Sequence, residues 1–247
     1  MTRLEAGVDA VETGWGGRDE RVFTYLPLER ELLASLPVDA RILDLGCGDG
    51  SHMNLLSSGG KVVGLDSSLP LLDTASAFGH VVAGVGERLP LSDSSVNLVH
   101  VSHVLHHAHD HRVVLGEIHR ILRPGGTLLL IETCDDSPLM RLARRLRPEW
   151  ETVPVRCRFR FAELVADVKG AGFVLEAGEQ FNVLYWIWGF ARRRFKPLER
   201  LVKQVIRMEL AAVRRMRRYS AYGYVVAHKP GQSRVAGSAY ASGSAGG

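Results

Sequence analysis

Cysteine is scarce in this 247-residue chain: Cys47, Cys134 and Cys157 are the whole supply. An odd, scattered set of three excludes a disulfide framework and fits a reducing compartment. Long apolar runs are missing as well. The longest aromatic-apolar stretch, Val183–Ala191, is nine residues, against roughly twenty for a membrane-spanning helix. The first residues carry Glu5, Asp9 and Glu12 where a secretory leader needs an apolar core. A cytoplasmic chain, at most peripheral to a membrane, is expected. Internal repeats are absent too. What is present is ordinary, 46% hydrophobic and 23% charged, which excludes a disordered or collagen-like chain.

At roughly 150 residues per domain, the length allows one to two domains. The net charge of +4 conceals an asymmetry. Residues 1–138 hold 10 basic and 19 acidic side chains, and residues 139–229 hold 20 and 8. Such a split suggests different partners for the two halves, although a solvated basic helix face reads equally well. The stretch 230–247 is small and polar and is expected to be a disordered tail.

Between these ends, short apolar runs alternate with helical patterns. Strands are expected at Arg41–Leu45, Lys61–Asp66, His80–Ala83, Val96–Ser102, Thr127–Glu132, Phe173–Ala177 and Tyr222–His228. Helices are expected at Leu69–Phe78, Asp110–Leu122 and Phe161–Ala171. The second places Val113, Val114, Ile118, Ile121 and Leu122 on one face, and Arg123-Pro124-Gly125-Gly126 turns the chain after it. Strand–helix alternation predicts a mostly parallel sheet covered on both faces, an α/β doubly wound fold. Residues 1–37 read as an N-terminal helical cap and 38–229 as the main domain. Insertions at 135–159 and 180–219 fall outside the rhythm, the second with apolar residues at helical spacing.

The informative segment is Ile42-Leu43-Asp44-Leu45-Gly46-Cys47-Gly48-Asp49-Gly50. It follows a predicted strand and opens a helix, the context a nucleotide-type turn requires. Glycine there lets a ligand approach the backbone. The spacing is G-x-G-x-G, unlike the dinucleotide fingerprint that seats a pyrophosphate. Asp44 before the turn would repel phosphate and attract an ammonium group. Asp66 lies 22 residues on, at the end of the second strand, where an acid can accept both hydroxyl protons of a ribose. A ribose, an ammonium group and no phosphate describe S-adenosylmethionine better than a nicotinamide dinucleotide.

With these residues in view, the chain resembles the class I S-adenosylmethionine-dependent methyltransferases, most closely the type 11 branch that includes ubiquinone/menaquinone C-methyltransferases. The resemblance covers roughly residues 38–132. It is carried by ILDLGCGDG at 42–50, VVGLDSS at 62–68, GERLPLSDSSVNLVHVSHVLHH at 86–107 and EIHRILRPGGTLLLIE at 117–132. It implies a Rossmann-like seven-stranded sheet whose last strand, Tyr222–His228, is antiparallel, with a helical insertion before it. It also implies cofactor contacts. Asp44, Gly46, Cys47 and Gly48 would line the methionine end, Asp66 would hold the ribose with Ser67 beside it, Gly86 and Glu87 would lie near the adenine, and Ser102 would approach the methionine moiety. The chain departs from the family pattern at Val85 and Asn97, where Asp is common. The first moves the adenine amino contact to Glu87 or to backbone. The second is expected to be structural.

Six of the ten histidines lie between 100 and 111. A metal site, a general base and a structural packing role are all open for them. A strand running into a loop would scatter ligands, and methyl transfer demands no metal, so none is assigned. His103, His106 and His107 are the candidate bases, since imidazole titrates near neutrality and the resemblance turns this loop toward the transferable methyl.

The acceptor is expected to be a small or lipid-linked hydrophobic molecule. Tyr25 at the N-terminal end and Trp186 and Trp188 in the late insertion are candidate substrate contacts. Residues 191–218 hold 11 basic and 2 acidic side chains, which suits a peripheral membrane contact or an RNA contact. An RNA (tRNA) methyltransferase is therefore the alternative, and a non-catalytic cofactor-binding scaffold is a third reading. DNA is not expected as a partner, because the Asn/Asp-Pro-Pro-Tyr sequence is absent. No oligomeric state is read from the sequence.

Overall fold

In the computed structural model, residues 31–138, 155–181 and 219–231 are described, together with 141, 142, 145, 208, 215 and 216. Most of the stretch expected as an N-terminal cap, much of both expected insertions and nearly all of the expected tail lie outside these residues.

Seven strands form one sheet: β1 (Arg41–Leu45), β2 (Lys61–Asp66), β3 (His80–Ala83), β4 (Val96–Ser102), β5 (Leu122–Thr133), β6 (Val174–Phe181) and β7 (Tyr222–His228). Their order is β3-β2-β1-β4-β5-β7-β6. The first five run parallel, and β7 runs antiparallel to both β5 and β6. Around them lie α1 (Met53–Leu56), α2 (Leu69–Ala75), α3 (His111–Ile121) and α4 (Phe161–Gly170).

The apolar central strands are buried on both faces, as a parallel sheet requires. Alternation then sorts their side chains. Leu43, Leu45, Val99, Val101, Leu128 and Leu130 enter one core beneath α3 and α4. Ile42, Leu98, Leu129, Ile131 and Val226 enter the other, with Met53, Leu56 and Leu72 from α1 and α2.

The strand boundaries at β1 to β4 and β7 match the sequence expectation. Other elements differ. Leu69–Phe78 is α helix only to Ala75 and closes as a 3-10 turn at Ser76–Phe78. On α3, Asp110 is the cap, accepting from the Arg112 and Val113 amides at 2.9 and 3.4 Å. Val114, Leu115, Ile118 and Ile121 are its buried face, while Val113 is 45% exposed. Leu122 already has extended backbone and begins β5. The expected turn at Arg123–Gly126 is taken into β5 because Gly125 N–H donates to Lys229 O at 2.9 Å and Lys229 N–H to Gly126 O at 3.0 Å. Likewise β6 runs on past Ala177 to Phe181, its polar end held by pairing with β7.

Candidate functional site

In an open parallel sheet, ligands bind outside the carboxyl ends of the strands, where the strand order reverses. Here that place lies between β1 and β4, and the glycine turn occupies it. Gly46, Gly48 and Gly50 have φ of +72°, +56° and +80°. The turn folds back onto β2, with the Gly46 and Cys47 amides both donating to Leu65 O, at 2.7 and 3.1 Å. A Cβ on Gly46 would stand 2.1 Å from Val104 Cγ2, so glycine is required there. A Cβ on Gly48 would meet nothing within 4 Å, leaving its backbone open to a ligand.

Asp66, at the end of β2, braces this turn. Its Oδ2 accepts from Gly48 N–H at 3.0 Å and its Oδ1 from Ser68 N–H at 2.8 Å. Each carboxylate oxygen can accept a second bond, so the group can also take ribose hydroxyls. Ser67 lies between these two residues in the chain.

Asp44 is 2% exposed and sits beside Gly64 on β2 and His100 on β4. Its Oδ1 is 2.7 Å from His100 Nδ1, while its Oδ2 is buried without a hydrogen-bond partner. The Ser102 hydroxyl, at the end of β4, is likewise buried and unsatisfied. Buried polar atoms seldom stay unmatched. Both of these belong to residues expected at the methionine end of S-adenosylmethionine. The open Gly48 backbone and these two orphaned acceptors therefore fit that cofactor. Cys47 is buried, and its thiol is pushed up to about 12 by burial and by the negative charges of Asp44, Asp66 and Asp49.

At the expected adenine end, a Cβ on Gly86 would lie 3.0 Å from Val114 Cγ1, so the backbone packs closely on α3. Glu87 Oε1 accepts from the His109 amide at 2.8 Å, which ties the histidine loop to this segment. Val85 is 51% exposed. A cavity of about 870 Å³ opens beside it, lined by Leu89, Glu117 and Arg120 among others. Asn97 has the structural role expected, its Oδ1 accepting from Arg41 N–H at 3.0 Å.

The histidines divide. His100 faces Asp44, and His111 pairs with Asp167 at 2.9 Å. His103, His106 and His107 gather instead. The His103 and His106 ring centroids are 6.3 Å apart, and those of His106 and His107 are 4.0 Å apart. His103 holds φ +59°, rare for a side chain of its size.

The residue that sequence reading passed over is Glu132, fully buried at the end of β5. It accepts from the Leu105 amide at 2.7 Å, from His106 Nδ1 at 2.6 Å and from the Thr133 amide at 3.2 Å. Burial pushes its carboxyl up. The His106 hydrogen bond, the positive charge available at His106 and His103, and the Leu105 amide outweigh that and hold it below the usual range. One potential donor atom each from His103, His106 and Glu132 lies within 4.8 Å of the others, so the expectation that the loop scatters its rings fails for these two histidines. The carboxylate already accepts from three N–H donors, the His106 ring among them, so His106 and Glu132 form a hydrogen-bonded pair. An acid ending an apolar strand, as in Leu129-Leu130-Ile131-Glu132, is the signal that could have revealed it. Tyr25, Trp186 and Trp188, and all of 191–218 except 208, 215 and 216, lie outside the described residues.

A family model described as a methyltransferase domain matches residues 43–130. An uncharacterized methyltransferase of Synechocystis sp. is 38% identical over 122 residues, covering 47% of this chain and 56% of that relative. The malonyl-[acyl-carrier protein] O-methyltransferase of Pseudescherichia vulneris is 31% identical over 175 residues, 66% of this chain and 68% of that protein. The chain thus spans about half to two thirds of these relatives' length. A crystal structure of a SAM-dependent methyltransferase from Archaeoglobus fulgidus superposes with a TM-score of 0.60 at 16% identity, covering 81% of this chain and 90% of that one. At that identity the likeness speaks for the fold. Among the described residues, no helix is long and apolar enough to cross a membrane.

Proposed function

The chain belongs to the S-adenosylmethionine-dependent methyltransferases, and from that premise we propose that it moves a methyl group onto a small or lipid-linked hydrophobic acceptor. The observation that carries this is the Gly46–Gly50 turn braced by Asp66, with buried unsatisfied oxygens on Asp44 and Ser102 beside it.

When bound, the cofactor supplies a methyl group already activated on a sulfonium. The chain supplies proximity and orientation, effects that reach ~7–11 kcal/mol in favourable cases. Asp44 offers a negative charge to the ammonium end, and Ser102 a hydroxyl. Asp66 accepts the ribose hydroxyls, with Ser67 beside it, and Gly86 and Glu87 border the adenine. Where the acceptor must lose a proton, His106 is the candidate to take it. Glu132 accepts from Nδ1, which fixes the tautomer and leaves Nε2 as the base. His103 and His107 pack around that ring. A hydrophobic acceptor is supported by a relative from Lactiplantibacillus plantarum named as a demethylmenaquinone methyltransferase, 33% identical over 130 residues.

Calorimetry with S-adenosylhomocysteine tests the cofactor half. Binding is expected, and folded protein that gives no heat with it or with S-adenosylmethionine removes the reading. Transfer of a labelled methyl group to hydroxylated, carboxylated and quinol acceptors, each free and lipid-linked, tests the other half. Transfer to tRNA alone would replace the proposed acceptor class with the RNA reading.

A further inference from the structure

We propose that His100 is a positioning residue for cofactor capture: it holds the Asp44 carboxylate, and its protonation switches that carboxylate's charge off. The inference rests on the reading above that Asp44 meets the ammonium end of the cofactor.

The pair is built into the sheet. Asp44 and His100 are register partners on adjacent strands, so backbone ladders on both sides fix their separation. Both are nearly sealed from solvent, at 2% and 1% exposure. Carboxylate Oδ1 and ring Nδ1 are 2.7 Å apart, so neutral His100 donates its Nδ1–H and orients the group. That leaves Oδ2 as the buried oxygen with no protein partner.

A buried carboxylate needs compensation, and this pair has two ways to provide it. With His100 neutral, the pair carries one net negative charge, and a cationic ligand at Oδ2 completes it. With His100 protonated, the pair is an internal ion pair of zero net charge, and an ammonium group arriving there meets a cation instead. Ligand and proton therefore compete. The cofactor lowers the proton affinity of His100, and by linkage acid lowers the affinity for cofactor. A group that is harder to protonate in the complex gives binding that is full above its free titration and falls below it.

Few other groups near the pair could imitate this effect. Among the described residues packed against it, β2 offers Gly64 and β5 offers Leu129, neither of which titrates. The turn offers Cys47, neutral throughout because its thiol is pushed up to about 12. The segment before α1 offers His52, whose ring centroid is 5.2 Å from that of His100. Among the described residues His52 is the rival, so it needs its own control.

The experiment is calorimetric titration of S-adenosylhomocysteine into the full chain at pH 8.0 and pH 5.5. Wild type is expected to bind about fivefold or more weakly at the lower pH. His100→Asn keeps an N–H donor near the Nδ1 position but cannot become charged, so its affinity is expected to change less than about twofold over that range. His52→Gln should retain the wild-type loss. His100→Val, which donates nothing, should bind about tenfold more weakly at pH 8.0. A wild-type profile without pH dependence, or a loss that persists in His100→Asn or vanishes in His52→Gln, overturns the proposal. Absence of wild-type binding at pH 8.0 is a different failure, since it removes the cofactor reading itself.

Discussion

At the scale of single residues, the site depends on atoms that are absent as much as on those present. Gly46 combines φ +72° with a Cβ position 2.1 Å from Val104 Cγ2. Gly46→Ala is expected to cost about 2–4 kcal/mol, from left-handed backbone and overpacking together. Urea unfolding measures this, and a variant as stable as wild type would mean that Val104 yields freely. Asp66 is a different case because its carboxylate serves both the turn and the proposed ribose. Asp66→Ala should weaken S-adenosylhomocysteine by roughly 1.5–3 kcal/mol, the scale of charged hydrogen bonds. Calorimetry that finds the affinity unaltered would place the ribose elsewhere. The Cys47 thiol, pushed up to about 12, holds on the order of one part in ten thousand as thiolate at pH 8. Iodoacetamide should therefore label it only once urea has unfolded the chain. Prompt labelling of native protein, read by mass spectrometry, would contradict that.

Elements bring together what the linear sequence keeps apart. The glycine turn and Asp66 were legible because both lie at strand ends that apolar runs mark clearly. The pairing of His106 with Glu132 was not, since only the parallel register of β4 and β5 sets those strand ends side by side. His100 and Asp44, 56 residues apart, meet for the same reason. The lower end of β5 was hidden by Pro124-Gly125-Gly126, whose local signal is a turn, until pairing with Lys229 overrode it. The buried Glu132 makes the value of such pairing measurable. Its folded carboxyl lies below the ordinary value. The stability it contributes is therefore complete above pH ~4.5 and is lost as pH falls through the folded value. Glu132→Gln is expected to cost about 2–4 kcal/mol at pH 7. That difference should narrow at pH 4, as shown by urea unfolding of both proteins at each pH. A gap of constant size would mean that the carboxylate's charge adds nothing.

At the scale of the whole molecule, the two cores of the described residues are separated by one continuous sheet, and the glycine turn sits where β1, β2 and β4 end. Leu43 and Leu45 of β1 enter one core and Ile42 the other, so a ligand held at the end of β1 is mechanically continuous with both. Opening the turn alone would strip the Leu65 carbonyl of the Gly46 and Cys47 amides and the Asp66 carboxylate of the Gly48 amide. Local opening is therefore costly, and the ligand's binding energy should appear in global unfolding instead of in a private loop equilibrium. A ligand that binds only the folded state adds about 2.7 kcal/mol at a hundred times its Kd. For a domain of this size that corresponds to a rise in Tm of roughly 5–10 °C. Thermal denaturation with and without saturating S-adenosylhomocysteine, followed by circular dichroism, should show one transition moving upward as a unit. If calorimetry finds binding but the transition splits, or only an early phase moves, the turn is energetically detached from the cores, and the sheet would be a passive platform for the site.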